Sequence, residues 1–223
     1  MTSFPFRTVA FDLDGTLADT APDLTAALNH TLGVLGRAPI AAERVRHMVG
    51  HGARALIDKG LGASGGSSPE LVEAGFPVFL RHYEANIAAE TRGFPGVQRA
   101  LDELAAAGVA LAVCTNKLEG LAVQLVEALG WRGRFAAIVG GDTLPVRKPD
   151  RAPFDLAVER AGGGPAAFVG DSITDADTAR AAGVPFVAVS FGFSDRPVEQ
   201  LGADRLIDHF DALVPALRGL APR

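Results

Sequence analysis

The chain has 223 residues, 48% apolar and 21% charged, an ordinary globular composition with enough length for one large domain or for a core carrying a smaller one. A net charge of -5 with no cluster of Lys and Arg excludes a polyanion-binding surface, so any phosphate bound here belongs to a small molecule. No apolar run of about 18 residues offers a membrane span, the N-terminus lacks the pattern of a secretory leader, and the single Cys114 has no internal partner; a cytoplasmic protein with a buried thiol is predicted.

The first strand is predicted over 8–11 and runs directly into Asp12-Leu13-Asp14-Gly15-Thr16. Two carboxylates thus stand two positions apart at a strand's C-terminal end, the edge at which open α/β sheets bind ligands. Charges held this close repel, and each persists in its ionised form only beside an offsetting group, most simply a divalent cation. Residues 20–92 then show helical periodicity at 22–35, 41–49, 53–60 and 69–86 and no convincing strand. An α-helical insert able to move as a lid is predicted there, with Ser68 capping a helix that starts at Pro69. Arg92-Gly93-Phe94-Pro95-Gly96 has the Gly and Pro density of a linker.

Beyond it, helical patterns at 97–107, 118–129, 154–161 and 173–182 alternate with short apolar strands at 110–115, 136–139, 167–169 and 185–189, and a last strand–helix pair lies within 205–217. Gly108, Gly130, Gly162 and Gly183 each follow a helix, where a left-handed cap is needed. The pattern predicts an α/β protein with a doubly wound, Rossmann-like, mainly parallel sheet. Its core would hold 1–19 and 93–223, with 20–92 as the helical insertion.

Polar residues follow several of these strands: Asp12 and Asp14, Thr115-Asn116, Lys148, and Asp171 with Asp175. Taken singly, each fits a cap, a turn or a solvated loop, and Asp171 or Ser172 is placed to cap the helix from Ile173. Together they stand where a doubly wound sheet gathers its strand ends, so residues more than 150 positions apart can share a pocket.

Asp12-Leu13-Asp14-Gly15-Thr16, Thr115, Lys148-Pro149 and Gly170-Asp171-Ser172-Ile173-Thr174-Asp175 resemble, in order and spacing, the four motifs of the haloacid dehalogenase superfamily of phosphotransferases. The insertion falls where one subgroup of that superfamily carries an α-helical cap. Within the subgroup the chain looks most like the phosphoglycolate phosphatases, through Gly93-Phe94-Pro95-Gly96-Val97, Val113-Cys114-Thr115-Asn116-Lys117, Gly140-Gly141-Asp142 and Phe168-Val169-Gly170-Asp171-Ser172.

The resemblance implies a Mg²⁺-dependent phosphatase for a small phosphate monoester, converting phosphoglycolate to glycolate and phosphate. Asp12 would attack phosphorus to form an aspartyl-phosphate, and Asp14 would protonate the leaving oxygen and then activate water. Asp12, the Asp14 backbone carbonyl and Asp171 would hold Mg²⁺, with Asp175 orienting its waters. Lys148, Thr115 and the neighbouring Asn116 segment would bind the phosphoryl group. On this reading four carboxylates face one lysine, a concentration that calls for a bound cation.

Asp14 separates the chain from the dehalogenases, which lack a carboxylate there. Leu24 stands where sugar phosphomutase relatives carry a His, and Lys59, the main lysine of the insertion, reads as a surface residue rather than a Schiff-base former. Gly50-His51-Gly52 with Arg54 is the candidate substrate-facing loop, because a carboxylate-bearing substrate needs a cationic or amide partner. His30, His47, His82 and His209 lack metal-ligand spacing. The expected partner is a small phosphorylated metabolite, not nucleic acid or membrane, with monomer or homodimer both accommodated. Alternatives are a phosphatase of the same fold acting on a sugar phosphate, nucleotide or pyrophosphate, and a non-catalytic binding protein.

Overall fold

The structure is a computed structural model and describes residues 4–194 and 196–223. Its centre is β1 (Thr8–Phe11), in which every side chain is buried. Around it stand β4 (Ala110–Cys114), β5 (Ala137–Val139), β6 (Ala166–Gly170), β7 (Phe186–Val189) and β8 (Arg205–Ile207), in the order β5-β4-β1-β6-β7-β8. Every pairing in this sheet is parallel; β1 sets Thr8 opposite Ala110 on one side and opposite Ala166 on the other. Strands covered on both faces have no need of polar alternation, which is why they read as continuous apolar runs.

The chain leaves β1 toward β4 and leaves β6 toward β7, in opposite directions across the sheet. A crevice opens between the C-terminal ends of β1 and β6, the switch point at which doubly wound sheets place ligands. Val9, Phe11, Val113, Val169 and Val187 face one apolar layer together with Leu101 and Leu104 of α5 (Val97–Ala106) and Leu213 and Leu217 of α9 (Leu213–Arg218). Ala10, Ala112 and Phe168 face the other, against Phe154 and Ala157 of α7 (Ala152–Arg160) and Ala176 and Ala179 of α8 (Ile173–Ala182). α6 (Glu119–Ala128) follows β4 and buries Leu125 and Val126 on the first side.

Between β1 and β4 lie α1 (Ala21–Val34), α2 (Ala42–Arg46), α3 (Ala53–Ala63) and α4 (Pro69–Ala85), bracketed by β2 (Ala18–Asp19) pairing antiparallel with β3 (Arg92–Gly93). These helices gather an apolar cluster of their own around Leu28, Leu32, Ile57, Phe79 and Tyr83, to which α6 contributes Leu121. Where α1 re-enters the strand pair, the buried Asp23 carboxylate accepts hydrogen bonds from the Glu90 and Thr91 N–H groups and the Thr91 hydroxyl. As predicted, Ser68 caps α4 by accepting from the Leu71 N–H. α2 is shorter than the periodicity predicts, because the chain must turn through Gly50 (φ 104°) and Gly52 (φ 84°) before α3 begins.

Candidate active site

Asp12 leaves β1 with its N–H bonded to the Val169 carbonyl of β6, which fixes the carboxylate over the crevice. Opposite it, Ser172 is the N-cap of α8 in a complete capping box, whose third helical residue is Asp175. Asp175 Oδ2 accepts from the Asp171 and Ser172 N–H groups at 3.2 and 3.1 Å and from the Ser172 hydroxyl at 2.7 Å. Its other oxygen takes Lys148 Nζ at 2.6 Å, so a cap residue is also a link in the site.

Asp171 is set from the other side. Oδ1 accepts from the Thr16 hydroxyl at 2.9 Å and Oδ2 from the Phe193 N–H at 2.6 Å. Glycines make this approach possible: a Cβ on Gly15 (φ +82°) would come within 2.5 Å of Asp171 Oδ2, and one on Gly192 would overlap Asp171 Cβ. The outcome is that carboxylate oxygens of Asp12, Asp171 and Asp175 all lie within 4.8 Å of one another, buried.

Lys148 is the cation among them, 3.0 Å from Asp12 Oδ1 and 1% exposed, with Phe168 beneath its ammonium at 5.3 Å. Burial makes this charge concentration costly. It pushes the Asp12 carboxyl up to about 6, against the lowering pull of Lys148 and with further raising by Asp175 and Asp14. Asp171 is raised well above the usual carboxylate range, first by burial and then by Asp175 and Asp12. Lys148 is held above its ordinary value because Asp12 and Asp175 outweigh its desolvation. Despite the ion pair, Asp12 Oδ1 accepts no aligned hydrogen bond.

Thr115 directly follows β4, its hydroxyl accepting from the Lys117 N–H at 3.3 Å. Asn116 Nδ2 donates to the Gly50 carbonyl and to the Lys148 carbonyl, each at 3.2 Å, tying the α2–α3 loop to the loop that carries Lys148. His51 reaches the start of α8, with Nδ1 3.5 Å from the Thr174 hydroxyl. Arg54 does not join them. Its guanidinium pairs with Glu73 at 2.7 Å and stacks 3.6 Å over Phe76, half exposed on the α3–α4 face, so the cation expected to meet substrate is engaged elsewhere. Lys59 donates to the Met48 carbonyl. Cys114 is buried, its thiol pushed up to about 12 by burial, which suits a core residue.

Lys117 is the residue the sequence concealed. Its ammonium binds both Asp14 oxygens, at 2.8 and 3.0 Å, with Tyr83 of α4 packed 4.6 Å beneath it. The side chain is 4% exposed, and Asp14 holds it above its ordinary value in spite of that burial. The site therefore sets Asp12, Asp14, Asp171 and Asp175 against two ammonium groups, where the sequence reading counted one. Asp12, Asp14, Thr115, Asn116 and Lys117 line a cleft walled on the helical side by Leu24, Leu56, Phe79 and Tyr83.

The family described as haloacid dehalogenase-like hydrolase matches residues 9–189. A phosphoglycolate phosphatase of Agrobacterium fabrum is 46% identical over 97% of this chain and 95% of its own length. One of Caulobacter vibrioides is 47% identical over 91% and 87% of the two chains. The crystal structure of a predicted phosphoglycolate phosphatase from Haemophilus somnus superposes with a TM-score of 0.89 at 29% identity, covering 95% of this chain and 97% of the other. CbbY from Rhodobacter sphaeroides, solved in complex with phosphate, gives 0.80 at 27% identity over 95% and 99%.

Proposed function

The chain belongs to the haloacid dehalogenase-like hydrolases, and from that membership we propose that it is a Mg²⁺-dependent phosphatase whose substrate is phosphoglycolate. It is a phosphoric monoester hydrolase, as its relatives' names indicate. The observation that carries the finer reading is the gathering of Asp12, Asp171 and Asp175 at the switch point of the sheet, with Lys148 paired to Asp12 and Asp175.

The residues present fit a small, hard cation. Three buried carboxylates lie close enough to share one ion, and Asp12 Oδ1 lacks an aligned donor. Asp12 and Asp171 would hold Mg²⁺, with the Asp14 backbone carbonyl as a further oxygen, and Asp175, bonded to Lys148 and to the Asp171 N–H, would steady both from behind. When bound, the ion supplies positive charge beside the nucleophile and the phosphoryl oxygens.

Asp12 is the nucleophile: one carboxylate oxygen forms a bond to phosphorus as the ester oxygen departs, and the aspartyl-phosphate is later hydrolysed. Lys148 offsets charge on that carboxylate and on the transferring oxygens, and the Thr115 hydroxyl and adjacent N–H groups bind the same oxygens. Asp14, two residues on, gives its proton to the leaving oxygen and takes one from the attacking water. Leu24 supplies an apolar wall to the cleft and no proton-carrying group. The four helices act as a cap that closes over the ester and excludes water.

Phosphate release is measured on phosphoglycolate, sugar phosphates, nucleoside monophosphates and pyrophosphate, with Mg²⁺ and with a chelator. The highest kcat/KM falls on phosphoglycolate and vanishes on chelation. A flat or sugar-favouring profile overturns the substrate, and no release from any ester with Mg²⁺ present overturns the catalytic reading.

A further inference from the structure

An acid that protonates a leaving group cannot simultaneously accept two hydrogen bonds from an ammonium, yet Lys117 holds both oxygens of Asp14. Lys117 must let go for Asp14 to work. It is almost fully buried, and an unpaired ammonium at such a depth is heavily penalised. Its release therefore requires another anion in the same cleft.

The cleft is built for one. Among the described residues that line it, Lys117 is the only cation. Three buried polar atoms among its lining residues make no aligned hydrogen bond, Asp12 Oδ1, Asn116 Oδ1 and Tyr83 Oη, and of these the Tyr83 hydroxyl is the one able to donate to an anion. Burial pushes the Tyr83 hydroxyl up to about 12, so it keeps its proton and can donate it. The first turn of α3 also meets the cleft through Gly52 and Ala53, and no side chain caps its N–H groups. Lysine, phenol and helix terminus together form a receptor for a carboxylate.

Resting on the phosphatase reading above, we propose that Lys117, with Tyr83 and the N-terminus of α3, binds the carboxylate of the substrate, and that this carboxylate draws Lys117 away from Asp14. Substrate binding then frees the acid it needs, and an ester lacking the carboxylate leaves Asp14 clamped. Lys117 Nζ stands 2.8 Å from Asp14, the group assigned to the leaving oxygen. The favoured substrates are accordingly short esters whose carboxylate lies one carbon from the ester oxygen.

The test compares kcat/KM for phosphoglycolate and for 2-hydroxyethyl phosphate, which replaces the carboxylate with a neutral hydroxymethyl group. In the wild-type enzyme the ratio is about 100 or more, the worth of a charge-assisted hydrogen-bonded pair. Lys117→Met lowers that ratio about 100-fold, through a higher KM for phosphoglycolate and, with the clamp on Asp14 gone, a higher kcat for 2-hydroxyethyl phosphate. Tyr83→Phe, which deletes only the hydroxyl and keeps the ring, lowers it about 10-fold and serves where the lysine variant fails to fold. Loss of activity on both esters with the ratio preserved assigns Lys117 a structural role and overturns the proposal. So does a wild-type enzyme that hydrolyses both esters equally with Mg²⁺, although the phosphatase reading then stands. Failure to hydrolyse either ester or p-nitrophenyl phosphate overturns both.

Discussion

Asp12→Asn exchanges the proposed nucleophile for a neutral side chain of nearly the same shape, and its effects on turnover and on stability have opposite signs. Turnover falls by about 10⁴-fold or more, because the amide cannot attack phosphorus. Stability rises in metal-free protein. The folded chain holds Asp12 at about 6 against an ordinary value of 3.8. A raised folded-state pKa contributes stability that is complete at low pH and lost as pH climbs from about 4 through about 6. By pH 7.5 the ionised carboxylate costs the metal-free fold up to about 3 kcal/mol, and Asn removes that cost while Lys148 keeps Asp175 at 2.6 Å. A gain of about 1–3 kcal/mol, already net of the attraction to Lys148, corresponds to a Tm increase of about 3–10 °C for a chain of this size. Calorimetry in chelator at pH 7.5 and pH 4 measures it: the increase is present at the higher pH and nearly gone at the lower. Mg²⁺ raises the Tm of the wild-type protein and raises that of the variant less. A variant less stable than wild type in chelator at pH 7.5, or equally stabilised at both pH values, refutes the electrostatic reasoning.

Lys148→Met leaves Asp12 and Asp175 buried without their ammonium; urea melts in chelator show a loss of about 3–5 kcal/mol, and kcat drops by about 10³-fold. Gly192→Ala places a methyl group on Asp171 and costs about 1–3 kcal/mol with at least about a tenfold loss of kcat, whereas Gly36→Ala, at φ +71° with open space around it, costs about 1 kcal/mol and leaves kcat intact in the same assays. Cys114 reacts with a thiol reagent at pH 8 only at the rate of unfolding. Its thiol, ordinarily near 9.0, is held up to about 12 in the fold, so chemical denaturation also finds stability declining as pH rises above 9, where the unfolded thiol ionises first.

The strands and their order of use were legible because burial on both faces leaves an unbroken apolar run, and a strand such as 110–114 has no other reading. Asp12 and Asp171 were legible as candidates because each directly follows such a run. β2 and β3 were not: each has two residues, and their pairing depends on chain segments more than seventy positions apart. Lys117 was hidden for a related reason. In sequence it is one polar residue in a loop after a strand, and its burial is created by Tyr83 from a distant helix and by Asp14 from another strand end. Arg54 differs in the opposite direction. Beside Gly50-His51-Gly52 it offered a cation for a carboxylate-bearing substrate, whereas in the fold Glu73 and Phe76 on the neighbouring helix take its charge and its face. Periodicity locates an element well and says little about which partner a long, flexible side chain will choose.

The claim on which the rest depends is that Asp12 carries the phosphoryl group during turnover. Acid quenching of enzyme turning over phosphoglycolate with Mg²⁺, followed by peptide mass spectrometry, finds a phosphoryl adduct on the peptide that holds Asp12, absent in Asp12→Asn. Steady release of phosphate with no adduct at Asp12, or with the adduct on another residue, contradicts the account.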